Sequence, residues 1–220
     1  MSVQAPAEAA PVTVRPPWLP PRRAVSVFLV ALTVIAGGLA GNALWTAQVD
    51  EAAESIAITT SWPECTGTQV TTLSDEHEWD DMDGLPAPKL RSGMDCLSTL
   101  TITNDGSRAV KLESLELLMR GPAEGASVDA DEVLDAEGPL STLHDSDARD
   151  YLASLDRPLA AGASLDLVVR HKFARGCTSQ GHFWTSAGSV RLKVLRQVRD
   201  VESSEPVVWR GTRESSCGDS

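Results

Sequence analysis

Residues 96–119 read CLSTLTITNDGSRAVKLESLELLM, and the fold class depends on how that run is divided. Its first part, CLSTLTIT over 96–103, is dense in β-branched and apolar side chains, the composition of a strand. Asn104-Asp105-Gly106 follows and predicts a turn. Asn and Asp side chains can bond to the backbone just ahead of them, and glycine tolerates positive φ. A second β run begins at residue 109. Val110 and Leu112 share one face, while Leu115, Leu117 and Met119 share the next. The phase slips at Glu113-Ser114, which predicts a β-bulge there.

The same two-residue period recurs on both sides. Ile56, Ile58, Thr60 and Trp62 alternate with Ala57, Thr59 and Ser61. In LDLVVRHKF (165–173), Leu165, Leu167, Val169, His171 and Phe173 point one way. Val190, Leu192 and Val194 alternate with Arg191 and Lys193, and PVVWR (206–210) is expected to complete a hairpin turning at Ser203-Ser204. Residues 120–138 read as an acidic, turn-rich connection. Asp145 or Ser146 is expected to cap a short helix over ARDYLASL that ends before Pro158. About six short strands of period two predict an all-β domain, a sandwich or barrel, over 56–220.

The segments LTITNDGSRAVKLESLEL and LAAGASLDLVV, together spanning about 95–173, resemble bacterial immunoglobulin-like β-sandwiches of the cell-surface type. In those, a strand ends at Asn-x-Gly, and an apolar-x-x-Gly-x-Ser turn opens a later strand. The long 120–157 segment and the 63–94 loop depart from that pattern. The overall layout is similar to that of single-pass proteins of high-GC Gram-positive bacteria. The resemblance implies an immunoglobulin-like sandwich and a binding or scaffolding role, and it brings no catalytic residues with it.

Ahead of this domain, residues 24–45 read AVSVFLVALTVIAGGLAGNALW, with Ser26, Thr33 and Asn42 the polar exceptions. At ~1.5 Å per residue the run spans roughly 30 Å, the hydrocarbon thickness of a bilayer. Arg22 and Arg23 stand immediately before it, which predicts a cytoplasmic N-terminus and an extracytoplasmic C-terminus. Trp18 and Trp45 lie near its ends, where indoles favour the interface. A cleaved signal peptide, cut near Gly41-Asn42-Ala43, is the competing reading; the apolar run and the 23 residues before it are long for one. Residues 1–23 hold six prolines and no apolar periodicity, so they read as a disordered cytoplasmic tail, and 46–55 as a linker. Gly37 and Gly41 set small residues one turn apart, a pattern compatible with a homodimer in the membrane.

The formal net charge is −12, unevenly placed. Arg15, Arg22 and Arg23 against Glu8 leave residues 1–23 at +2, residues 24–49 carry nothing, and −14 falls on 50–220. Such a domain lacks the clustered cations that nucleic acid or an anionic lipid surface requires.

Cys65, Cys96, Cys177 and Cys217 all follow the apolar segment. An even count outside the cytoplasm predicts two disulfides. Of the three pairings, Cys65–Cys96 with Cys177–Cys217 is preferred, because the first pins a loop to a strand and the second ties down a polar C-terminus.

Candidate metal and catalytic groups are sparse. Asp75-Glu76-His77-Glu78-Trp79-Asp80-Asp81-Met82-Asp83-Gly84 concentrates oxygen ligands. Aligning Gly84 with an EF-hand glycine, however, puts Trp79 and Leu90 where the first and last ligands belong. His171, Cys177 and His182 offer imidazole and thiolate, but the disulfide claims the cysteine, and on its apolar strand face His171 reads as a hydrogen-bonded core or edge histidine. No Gly-x-Ser-x-Gly, His-Glu-x-x-His, phosphate loop or dinucleotide fingerprint occurs. The expectation is therefore a non-catalytic, cofactor-free binding domain for a protein or cell-envelope component, with Trp79 or Trp184 as candidate anchors. An accessory or sensor subunit of a membrane complex, and a metal-dependent envelope protein using 75–83, are the alternatives.

Overall fold

The computed structural model describes residues 22–73, 84–117, 128–141, 151–173, 182–186 (backbone only), 188–203 and 205–215. The chain divides into two compact units, Met1–Thr46 and Ala47–Ser220.

One helix, α1, runs Arg22–Glu54. Among the described residues it is the helix long and apolar enough to cross a membrane. Val30, Val34, Ile35, Leu39 and Leu44 are all exposed, so the first unit buries none of these side chains internally. The expected linker over 46–55 is instead helical through Glu54. Ala, Gln and Glu dominate TAQVDEAAES, and their propensity carries the helix on. Within the second unit its last turns are held by burial of Val49 and Ala52 and by an Asp50–Arg199 ion pair at 2.9 Å. The proline-rich tail lies outside the described residues, except for Arg22 and Arg23, which open α1.

The second unit is all β after those turns. In chain order its strands are β1 (Ile56–Thr60), β2 (Glu64–Thr66), β3 (Val70–Thr72), β4 (Pro86–Pro88), β5 (Asp95–Asn104), β6 (Val110–Leu117) and β7 (Val128–Asp135). There follow β8 (Gly138–Pro139), β9 (Tyr151–Leu159), β10 (Ser164–Phe173), β11 (His182–Ser186), β12 (Ser189–Val194), β13 (Gln197–Glu202) and β14 (Pro206–Arg210). One sheet has the order β1-β5-β10-β7-β8, with β2 also on β5. The other has the order β13-β12-β6-β9. Every pairing between these strands is antiparallel. Two ribbons, β3-β4 and β11-β14, complete the unit; a bridge between Lys89 and Arg210 and a Leu90 N–H to Arg210 carbonyl bond of 2.8 Å join the strip after β4 to the end of β14.

The sandwich follows from alternation. Leu100, Ile102, Val133, Leu167 and Val169 from the first sheet share one buried cluster with Leu112, Leu115, Leu117, Leu155, Val190 and Leu192 from the second. The expected bulge lies where the phase slips. The β6 register shifts between Leu112 and Ser114 against β9, and between Arg191 and Leu192 of β12. One extra residue at Glu113 lets Val110, Leu112, Leu115 and Leu117 all face the core.

Three expectations fail. The helix over ARDYLASL is strand β9 from Tyr151 onward. Ala153, Leu155 and Leu159 are buried at even spacing on one face, so packing overrides helical propensity. Pro158, placed as a helix stop, sits on an edge strand, where a missing N–H costs no ladder bond. Residues 206–210 pair with β11 rather than with the strand before them. The hairpin partner of β12 is β13, through a turn in which Leu195 and Arg196 have φ of 47° and 75°. Both values are positive without Gly or Asn, which is why composition did not reveal the turn. The acidic connection at 120–138 holds β7, which reaches the first sheet beside β10.

Candidate functional site

Cys65 and Cys96 are bonded to each other. They face each other in the β2–β5 register, so the disulfide ties the returning 66–95 segment to the first sheet. Cys177 and Cys217 lie outside the described residues, as do 75–83, Trp79 and the side chains of His182 and Trp184. Among the described residues no three His, Cys, Asp or Glu side chains gather as a metal would need. Gly37 and Gly41 lie one turn apart on α1, with open space where a Cβ would project.

His171 points into the sandwich, as its strand alternation required, and is buried. Its Nε2 lies 2.9 Å from the hydroxyl of Ser98, and its ring meets Trp209 edge-on at 5.3 Å between centroids. Its Nδ1 has no hydrogen-bond partner. Burial lowers its pKa to about 4, so the ring is neutral at pH 7. Ser98 is 4% exposed and His171 8%, so this serine–histidine contact is sealed inside the core rather than presented to a substrate.

A different residue is displayed. Trp62 is 48% exposed. Period two sets it in phase with Ile56 and Ile58, but β1 ends at Thr60 and Pro63 follows. A proline cannot extend the ladder, and the residue before it is restricted to extended conformations. Alternation therefore stops predicting which way Trp62 points. The indole lines a concavity of about 280 Å³ with Thr60, Ser61 and Pro63 on one side, and with Leu85, Glu205, Pro206 and Val207 on the other.

Polar contacts hold the two sides of this groove together. The Thr60 N–H donates to Glu205 Oε2 at 2.7 Å, and the Ser203 hydroxyl donates to the Ile58 carbonyl at 3.2 Å. β1 is an outer strand of its sheet, and these side chains occupy backbone groups that would otherwise be open to another strand. Ser61 Oγ accepts the Thr99 N–H at 2.8 Å, fixing the chain just before Trp62. Thr60 Oγ1 is buried without a partner. The groove thus combines an exposed indole, an apolar wall and one carboxylate, just past the end of β1 and just before the start of β14. That arrangement can bind.

A second concavity, about 250 Å³, lies among Gln48, Glu51, Ser55, Asp105 and Arg108. It is polar and has no exposed aromatic. Beside it the motif turns of the sequence meet. The buried Asn104 Nδ2 donates to the carbonyls of Arg108 (2.8 Å), Leu159 (3.1 Å) and Ala160 (3.1 Å), and its Oδ1 accepts the Gly106 N–H at 3.1 Å. One side chain therefore links the Asn-x-Gly turn to the turn that opens β10.

The outer face of the first sheet is spanned by ion pairs. The Arg170 guanidinium holds the Asp95 carboxyl below its usual range, and Lys172 pairs with Asp131 at 2.5 Å. Burial and the neighbouring Asp131 raise the Asp129 carboxyl. On the second sheet Arg191 pairs with Asp200 at 2.8 Å and Lys111 with Asp156 at 2.6 Å. These exposed pairs contribute little stability each, but they leave no unpaired cationic patch on either sheet among the described residues.

The chain matches no family model and no curated protein sequence. Among solved structures it is similar to the X-ray structure of the Northeast Structural Genomics Consortium target SoR45, at 13% identity and a TM-score of 0.36, covering 76% of this chain and 94% of that one. It is also similar to BcpA, the major pilin subunit of Bacillus cereus, at 9% identity and a TM-score of 0.41, covering 70% of this chain and 41% of the pilin. A family GH20 exo-β-N-acetylglucosaminidase from Vibrio harveyi gives 10% identity and a TM-score of 0.33 over 72% of this chain and 18% of the enzyme. Likenesses this distant say nothing about activity.

Proposed function

We propose that this chain is a membrane-tethered interaction module. In this reading α1 anchors it with the N-terminus in the cytoplasm, and the disulfide-linked β-sandwich stands outside and binds a protein or envelope component without catalysis. The observation that carries the binding role is Trp62, a large indole left exposed at 48% just past the end of β1 and beside an apolar groove. Exposed aromatics in partly enclosed pockets are the residues that dominate interface energies. The anchoring role rests on the exposed, uncharged run of α1 and the arginine pair at its start. The extracytoplasmic placement rests on the Cys65–Cys96 bond, since disulfides persist in oxidising compartments.

Site-specific photo-crosslinking in native membranes tests the proposal. A photoreactive residue at position 62 should give a discrete adduct, and one at Asp166, on the outer face of β10, should not. Equal labelling from both positions, or none from 62, would remove the groove as the binding site. A second reading, an accessory subunit that meets its partner inside the bilayer, is favoured by the open faces at Gly37 and Gly41. Replacing 24–45 with an unrelated apolar helix separates the two: a tether survives the exchange, whereas an accessory subunit loses its partner.

A further inference from the structure

We infer that the Trp62 groove receives the cationic side chain of a peptide segment, an arginine or lysine laid across the indole with its charge against Glu205. The inference deepens the proposed binding role and rests on it. Four observations carry it.

First, Glu205 contributes the one carboxylate among the groove's described lining residues, and no cation lines it. Its Oε2 accepts the Thr60 N–H, which uses one of about four acceptor positions and leaves the carboxylate without an ion-pair partner among the described residues. Second, the described cations that form ion pairs find aspartates elsewhere: Lys111, Arg157, Arg170, Lys172, Arg191 and Arg199 pair with Asp156, Asp135, Asp95, Asp131, Asp200 and Asp50. Among the described residues, none of them pairs with Glu205. Third, an exposed indole attracts an ammonium or guanidinium over its face, and more strongly when a carboxylate shares the site. Fourth, residues 50–220 carry −14, a field that concentrates cations and repels anionic partners.

The apolar wall sets the class of molecule. Leu85, Pro206 and Val207 offer a surface for the aliphatic stem of an arginine or lysine, which buries its methylenes while its head stays polar. The volume of about 280 Å³ suits one or two side chains. The Thr60 N–H to Glu205 bond and the Thr99 N–H to Ser61 bond tie the chain on both sides of the groove.

The test uses the full chain in detergent micelles and a blocked, fluorescently labelled pentapeptide with one arginine between two prolines. Its counterparts carry lysine, citrulline or glutamate in place of the arginine. Fluorescence anisotropy should show binding of the arginine and lysine probes. Binding should weaken about tenfold for citrulline, which keeps the shape and loses the charge, and vanish for glutamate. Trp62→Ala and Glu205→Gln should each weaken the arginine probe by about tenfold. Glu205→Gln retains an oxygen to accept the Thr60 N–H, so it removes the charge without opening the strand edge; an unchanged urea midpoint verifies this. Equal binding of citrulline and arginine probes, no binding of either cationic probe, or indifference to both substitutions would overturn the inference. So would groove-dependent binding of a chitosan oligomer without the peptides. A position-62 crosslink that persists alongside any of these results would keep the interaction module and remove only its cationic preference.

Discussion

Replacing Asn104 with alanine or aspartate tests how the two turns are joined. In the native protein the amide donates to three backbone carbonyls and accepts one backbone N–H. Alanine removes all four contacts, and the Leu159 carbonyl loses its bond in a buried setting. Two amide hydrogens and one accepted bond, at about 1 kcal/mol each, give a loss of about 3 kcal/mol before relaxation. Aspartate keeps nearly the same shape and the oxygen facing Gly106. It also turns a second oxygen, and at pH 7 a buried negative charge, toward three carbonyl oxygens. Asn104→Asp should therefore cost more than Asn104→Ala despite being the smaller change in shape. The assay is urea unfolding followed by tryptophan fluorescence. With m of about 2 kcal/mol/M, alanine should lower the midpoint by about 1.5 M and aspartate by more. The exposed neighbour Asp105, changed to alanine, should move it very little. An Asn104→Asp midpoint within 0.5 M of the native protein, on the order of 1 kcal/mol, would refute the claim that this amide holds the turns together.

His171 has a folded pKa of about 4, below its usual 6.5, so between those values the unfolded chain binds more protons. Its contribution is complete above pH 6.5 and is lost as pH falls toward 4, by about 3 kcal/mol in all. Urea titrations across that window should show the loss, and His171→Phe should flatten the slope. Breaking the Cys65–Cys96 bond with Cys65→Ala and Cys96→Ala together frees a loop of 31 residues and should cost roughly 3–4 kcal/mol in the chain-entropy estimate. Gly188 has φ of 135°, and an added Cβ would lie 2.8 Å from Leu117 Cδ2 and 3.0 Å from the Glu116 carbonyl oxygen. Gly188→Ala should therefore destabilise by more than 1 kcal/mol on the order-of-magnitude scale for strained glycine sites, read from the same unfolding curves. An effect too small to measure would mean that the β6 edge moves aside.

The strands that face the core from both sheets were legible because their side chains alternate. Leu165 through Phe173, Ile56 and Ile58, and the slip at Glu113 all carry that signature in the sequence. β13 was not, since its residues alternate only between partial and full exposure and no apolar face marks them. β7 was obscured by its aspartates and glutamate, whose side chains stand mainly on the solvent side while Val128, Ala130 and Val133 go inward. β9 illustrates the opposite failure, since a helix-compatible composition was overruled by the need to cover β6. Of the site, the Cys65–Cys96 pair was favoured by the even cysteine count and by the loop it pins to the strand beginning at Cys96. The display of Trp62 had no signature for a local reason: the strand ends before it, and period-two reasoning has no force past the last paired residue. Glu205 left no sequence signal at all, because its place opposite Thr60 is created by tertiary contact across 145 residues.

The central claim is that α1 separates a cytoplasmic tail from an extracytoplasmic sandwich. It is tested most directly by labelling intact cells with a membrane-impermeant maleimide. Two single-cysteine additions suffice: Val198→Cys, at a position 45% exposed on β13, and Ser2→Cys in the tail. The account predicts that the cysteine at 198 is modified in intact cells, and the one at 2 only after lysis. Labelling at 2 but not at 198 in intact cells would contradict it.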